Sequence, residues 1–333
     1  MNKIIRTITQ FVGDIDKLNL DLLTDTKGVF ISNGYKVQTL RVCHPGNFGE
    51  GDSLPQDVLV SVGRKPLDYI TDNFKLFVSS RDNVNLDLSN VEVQMEHVLL
   101  LFRIIQEIPS KTFNFTFTFN NAKSSPYMPS ADYEQDGFSV GLQPTDLSES
   151  VTSISQWFER MHDVYSEIVN LMKGNNQFLG IDSSIAPLFE NESSLINLIK
   201  RLNGNFSDSI LTSIYTDITN FIKQDNPKPV GLCGLMVPCL EDFELAREYE
   251  QGNFSIERNL FLSLHSGLGI DVYPIGVDED KDKVLNILKL VKALSDKYNK
   301  PLSVRFVSDG KAKIGEKTNF NNHYLYDTIV RAL

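Results

Sequence analysis

Residues 230–274 read VGLCGLMVPCLEDFELAREYEQGNFSIERNLFLSLHSGLGIDVYP, and this stretch holds most of the chain's candidate chemistry. Gly231 and Gly234 lie among apolar residues that suit a buried strand and its exit, where glycine permits a tight turn. Glu241 and Asp242 follow Pro238 at the start of a helix predicted over residues 243–251. Gly267 and Gly269 then lead into Asp271. Each half of the stretch therefore delivers a carboxylate beside a permissive backbone turn.

Outward from this stretch, strands alternate with helices. Residues 4–11 and 36–42 read as strands around a helix whose Leu18, Leu22, Leu23 and Ile31 recur at helical spacing. Residues 43–66, rich in Gly, Pro and Asp, predict a loop, and residues 74–79 a strand. The apolar stripe Val91, Met95, Val98, Leu99, Phe102 and Ile105 predicts an amphipathic helix that Pro109 ends. Phe113, Phe115, Phe117 and Phe119 alternate with polar residues, which places every ring on one buried face of a strand. Residues 120–136 form the longest turn-rich connection, a length that usually signals function or mobility. Beyond it come a strand at 137–142, a helix at 148–172 with Trp157 in its apolar stripe, and, over 178–186, a strand running into a turn that carries Asp182. Two helices follow, one closed by Gly204 and one over 208–222, and the chain later gives a helix at 283–298 and a strand at 302–307. Such alternation implies a mainly parallel sheet with both faces covered. No linker or internal repeat interrupts it.

The composition bounds the function. With 333 residues and 41% hydrophobic side chains the chain can bury a large core. A net charge of −11 argues against nucleic acid, whose phosphates call for clustered Lys and Arg. No apolar stretch is long enough to span a membrane, and the first residues lack the apolar core of a signal peptide. Cys43, Cys233 and Cys239 cannot all pair and match no zinc spacing, so a reduced, cytoplasmic protein is the simplest reading.

Several motifs fail on their spacing. GKAKIGEKT at residues 310–318 nearly spells a phosphate loop, but Glu316 separates Gly315 from Lys317 and no strong helix follows. Gly267-Leu268-Gly269 begins a dinucleotide fingerprint, yet residue 272 is Val where a third glycine is needed. The five histidines are scattered, so no metal ligand set is assigned and no cofactor is named. The carboxylates differ, because Asp182, Glu241, Asp242 and Asp271 all follow strands or turns where a parallel α/β fold opens its pocket. Asp182, Glu241 and Asp271 are the candidates for acid, base or divalent-ion ligand. Asp242, Arg6, Lys300 and Arg305 are the candidate binding residues, the cations for an anionic group. The competing reading has Glu241 and Asp242 capping a helix and Asp182 and Asp271 satisfying loop amides.

Patterns at 234–242 (GLMVPCLED), 269–274 (GIDVYP), 180–187 (GIDSSIAP) and 300–305 (KPLSVR) resemble the family catalogued as domain of unknown function 711. Arg6 to Thr9, Val37 to Arg41 and Ser125 to Ala131 are similar to further segments of that family, with Ser130 departing from its pattern. Because the resemblance touches both ends and the middle, it implies one α/β domain over residues 1–333. It also implies a large α/β barrel like that of the pyruvate formate-lyase-like glycyl radical enzymes. It implies no mechanism, since residues 323–333 contain no glycine to carry a radical. The expectation is an enzyme acting on a small anionic molecule through carboxylate acid/base or divalent-metal chemistry. The alternative is a non-catalytic ligand-binding or assembly protein whose charges form structural ion pairs, and a homo-oligomer is compatible with either.

Overall fold

The computed structural model of the chain describes residues 2–333. Its strands are β1 (Lys3–Phe11), β2 (Tyr35–Cys43), β3 (Val58–Lys65), β4 (Asn83–Asp87), β5 (Phe115–Phe119), β6 (Gly137–Leu142), β7 (Phe178–Asp182), β8 (Gly269–Pro274) and β9 (Leu302–Val307). They form one nine-stranded sheet in the order β7-β6-β1-β2-β3-β4-β5-β9-β8. β1 to β5 are parallel neighbours, which requires a crossover between each pair, and the helices Leu20–Ser32 and Met95–Glu107 are two of these. On one flank β6 runs antiparallel to β1 and β7 parallel to β6; on the other β9 runs antiparallel to β5 and β8 parallel to β9. The sheet is therefore mixed and mostly parallel.

The sheet does not close by a continuous ladder, since β7 and β8 are its edges. Residues 229–242 lie between those edges without forming a strand, which corrects the buried strand expected there. They make single parallel bridges on one side, Ile181 with Pro229 and Ile185 with Leu235, and on the other, Leu235 with Gly267 and Pro238 with Asp271. These bridges join residues 181–185, at and just beyond the end of β7, to residues 267–271, at the start of β8.

Local chemistry explains the elements. Ser153 accepts a hydrogen bond from the Gln156 amide at the start of the helix Ile154–Leu171, whose Trp157, Met161, Tyr165 and Ile168 recur on one face and are buried. Trp157 donates its indole N–H to the Pro144 carbonyl at 2.8 Å. Gly204, at φ +87°, ends the helix Leu195–Asn203 in a conformation open to glycine. In β5 the rings of Phe115, Phe117 and Phe119 are buried, and Thr116 and Thr118 are buried as well because both faces are covered. Phe113 precedes β5 in the 3-10 turn Pro109–Asn114 and is half-buried, so three of the four rings share the strand.

Three sequence expectations are corrected. Residues 74–79 are the helix Phe74–Ser79, whose buried Phe74 and Phe77 lie three apart, a helical spacing that six residues cannot separate from alternation. β3 lies inside the segment expected to be loop; its buried Val58, Val60 and Val62 alternate, but the surrounding Gly, Pro and Asp obscure them. The helix expected over 208–222 is broken into Phe206–Ser209 and Ile214–Gln224.

Candidate functional site

Gly269 fixes how closely β8 approaches β9. It has φ +110°, and a Cβ there would lie 2.0 Å from the Ser303 carbonyl oxygen, so only glycine fits. Two residues further along each strand stand Asp271 and Arg305. The Arg305 Nε donates to Asp271 Oδ1 at 2.6 Å and its Nη2 to Glu241 Oε1 at 3.1 Å. Burial works against the Arg305 charge, yet Asp271 and Glu241 hold its guanidinium above the ordinary value. Burial pushes the Glu241 carboxyl up; Arg305 pulls it back and Asp271 adds to the rise. Glu241 Oε2 makes no hydrogen bond to another described residue.

These three side chains line a pocket of about 1010 Å³, counting its open mouth. Arg6 from β1 and Thr39 and Arg41 from β2 form another part of the wall. Arg6 and Arg41 are only 8% and 6% exposed, and among the described residues neither has a carboxylate within salt-bridge distance. Arg6 donates from Nη1 to Gln38 Oε1 at 3.1 Å and lies over the Tyr324 ring at 5.8 Å. Arg41 donates from Nε to Thr39 Oγ1 at 3.1 Å and reaches the Pro126 carbonyl at 3.4 Å. Burial, and then the like charge of Arg6, pushes Arg41 down to about 9 while Glu241 pulls the other way without an ion pair, so Arg41 remains a cation at neutral pH. Three guanidiniums against two carboxylates leave the lining one positive charge (3 − 2 = 1).

The long connection between β5 and β6 contributes Asn121, Tyr127, Met128, Pro129 and Ser130 to the same wall. The segment after β9 brings in Tyr324, which stacks on Phe113 at 6.3 Å and on Phe189 at 5.9 Å. Arg305 lies over the Phe113 ring at 5.1 Å.

The remaining candidates lie outside the pocket lining. Asp182, fully buried at the end of β7, accepts from Ser125 Oγ, the Ser184 amide and hydroxyl, and the Leu232 and Cys233 amides. Its carboxylate ties three separate segments together, and Gly231 must be glycine beside it, since a Cβ there would lie 2.3 Å from Asp182 Oδ2. Burial nevertheless pushes the Asp182 carboxyl above its ordinary value. Asp242 caps two helices at once. It accepts from the Glu244 and Leu245 amides at the start of Phe243–Glu250, and from Ser194 Oγ and the Leu195 and Ile196 amides at the start of Leu195–Asn203. Lys300 donates to the Ser263 carbonyl at 2.9 Å, and burial pushes it down to about 8. The structure thus brings together Glu241, Asp271, Arg305 and Arg6, and gives Asp182, Asp242 and Lys300 local partners.

Arg41, Tyr324, Phe113 and Tyr127 join the site without having been singled out from sequence. Arg41 carried the same signal as Arg6, a guanidinium inside a buried strand. Tyr324 carried none, because nothing in its local sequence says that the C-terminal segment returns to β1. Among the described residues no group of three or more His, Cys, Asp or Glu is arranged to hold a metal ion. Nor is any helix among them long and apolar enough to cross a membrane. The three cysteines are free and buried.

A family model described as "Uncharacterised ACR (DUF711)" matches residues 64–321 of the 333. The matched span includes Glu241, Asp271 and Arg305 and begins after Arg6 and Arg41. No curated protein matches the chain.

Proposed function

The chain belongs to the DUF711 family, and from that premise we propose that it is an enzyme acting on a small anionic molecule in the pocket between β1, β2, β8 and β9. Arg6 and Arg41 bind the anion, Glu241 moves a proton to or from the bound molecule, and Arg305 with Asp271 holds Glu241 in place. One observation carries the reading: two buried guanidiniums face a pocket with no carboxylate partner among the described residues. Burying like charges together is costly unless an anion joins them, and a purely structural arrangement would have supplied one. Glu241 supports the second part, with one oxygen on Arg305 and the other unpartnered among the described residues, and with a carboxyl that burial raises above its ordinary value.

The same reading takes residues 1–333 as one α/β domain and the sheet, completed by residues 229–242, as a barrel of the pyruvate formate-lyase-like kind. The bridges from Leu235 to both Ile185 and Gly267 support this closure. The alternative, a binding or assembly protein, draws on the Arg305 ion pairs, which are also what a structural network looks like.

The test incubates the protein with a panel of small carboxylic and phosphoric acids and follows each by mass spectrometry and calorimetry. Chemical conversion of a bound acid, abolished in Glu241→Gln while binding persists, is the expected result. Binding without conversion of any member would favour the non-catalytic alternative.

A further inference from the structure

We infer that the pocket's ligand is a monocarboxylate with an apolar body, a class narrower than the small anion proposed above and resting on that reading.

Charge sets the head group. The lining carries a single net positive charge, with Arg6, Arg41 and Arg305 set against Glu241 and Asp271, so one negative charge neutralises it. A phosphate monoester carries about 1.5 to 2 negative charges at neutral pH. It would leave the pocket negative and face the two carboxylates at close range. A carboxylate is planar and matches a guanidinium's paired N–H groups. Arg6 offers such a pair, since its Nε and Nη2 have no acceptor among the described residues, while Arg41, engaged through Nε and Nη1, adds its Nη2.

The walls set the body. Away from the arginines the pocket is lined by Leu59, Met128, Met236, Val237, Leu268 and Leu302. Thr116, Asn121, Ser130 and Ser303 lie among them, but each already donates to a backbone carbonyl, which leaves few donors for the hydroxyls of a sugar or polyol. Burying those hydroxyls there without partners would be unfavourable, whereas an alkyl or aryl chain gains from each buried carbon. Val237 and Leu302 are each 3% exposed and belong to the core, while Leu59 is 40% exposed, so the apolar wall runs from the sheet interior outward. The methionines add adaptable surface suited to varied apolar chains.

The experiment is a calorimetric series at constant ionic strength with acetate, butyrate, hexanoate and octanoate, set against inorganic phosphate, glycerol phosphate and hexanol. Affinity should rise about fourfold for each buried methylene, with hexanol at least about tenfold weaker than hexanoate for want of the charge-assisted contacts. In Met236→Gln, which keeps the side chain's length, acetate should bind as in wild type while the hexanoate advantage shrinks. The inference is overturned if phosphate or glycerol phosphate binds more tightly than hexanoate, or if affinity is flat along the acid series. If no anion in the set binds, the anion reading itself fails, and this inference with it.

Discussion

Arg41 and Arg6 face one pocket from neighbouring parallel strands, and burial together with Arg6's charge pushes Arg41 down to about 9. The pair is the reverse of Arg305, whose guanidinium two carboxylates hold above its ordinary value. The site therefore contains one satisfied cation and two waiting ones. Structure and binding can be separated by mutation on that basis.

Arg305 is the structural member. Arg305→Gln leaves Glu241 and Asp271 buried or half-buried without their counter-charge, and should destabilise the fold by about 3 to 5 kcal/mol. Urea unfolding measures this, and a loss under about 1 kcal/mol would show that the pairs are not part of the scaffold.

Asp182 predicts the opposite division of effects from a binding residue. Its five donors come from Ser125, Ser184, Leu232 and Cys233, so Asp182→Ala should cost about 3 kcal/mol or more through orphaned buried donors. Below its lowered melting temperature the variant should still bind small anions. Near-native stability combined with lost binding would move Asp182 into the site.

Asp242 caps two helices, so Asp242→Ala should cost about 1 to 2 kcal/mol for each cap. Burial raises its carboxyl to about 6 from 3.8. Between those values the native state holds more of this proton than the unfolded chain, so this carboxyl's contribution to stability falls as pH rises from about 4 to about 6. Asp242→Asn should remove that slope, and an unchanged pH profile of unfolding would count against it.

Glu241 gives the pH dependence of binding. Its carboxyl is raised above the ordinary 4.5, and protonating it removes a negative charge from a pocket that receives an anion. Anion affinity should therefore rise as pH falls through the Glu241 transition. Hexanesulfonate, which stays ionised throughout, is the suitable probe, and Glu241→Gln should bind it with no such rise. An equal pH response in both proteins would remove Glu241 from the site.

Much of this was legible in the sequence, and the rest has identifiable reasons. Arg305 could be read as lying within a strand, but Asp271, expected to follow a strand-like run, is the third residue of β8, and the apolar run before Gly267 is the helix Ile256–His265. Asp182 does lie at the end of a strand, yet its partners come from the β5–β6 connection, its own turn and residues 232–233. Local pattern cannot tell a carboxylate held by distant amides from one that faces a pocket. The double cap at Asp242 was half visible, since the helix after it is adjacent in sequence and the helix at Leu195 is not. Arg41 was available by the rule that selected Arg6. Tyr324 depended on the return of the C-terminal segment, where the Tyr326 amide donates to the Leu240 carbonyl at 3.0 Å, a contact only the fold determines.

The most direct measurement is the melting temperature of wild type and Arg41→Gln as hexanoate is added. For a ligand that binds only the native state, stabilisation reaches about 2.7 kcal/mol at about 100 times Kd. Wild type should rise along that curve, while Arg41→Gln should start at the same melting temperature or higher, having lost a buried charge that has no ion-pair partner among the described residues, and should stay flat. An Arg41→Gln protein that melts lower than wild type and rises with hexanoate along the same curve would contradict the account.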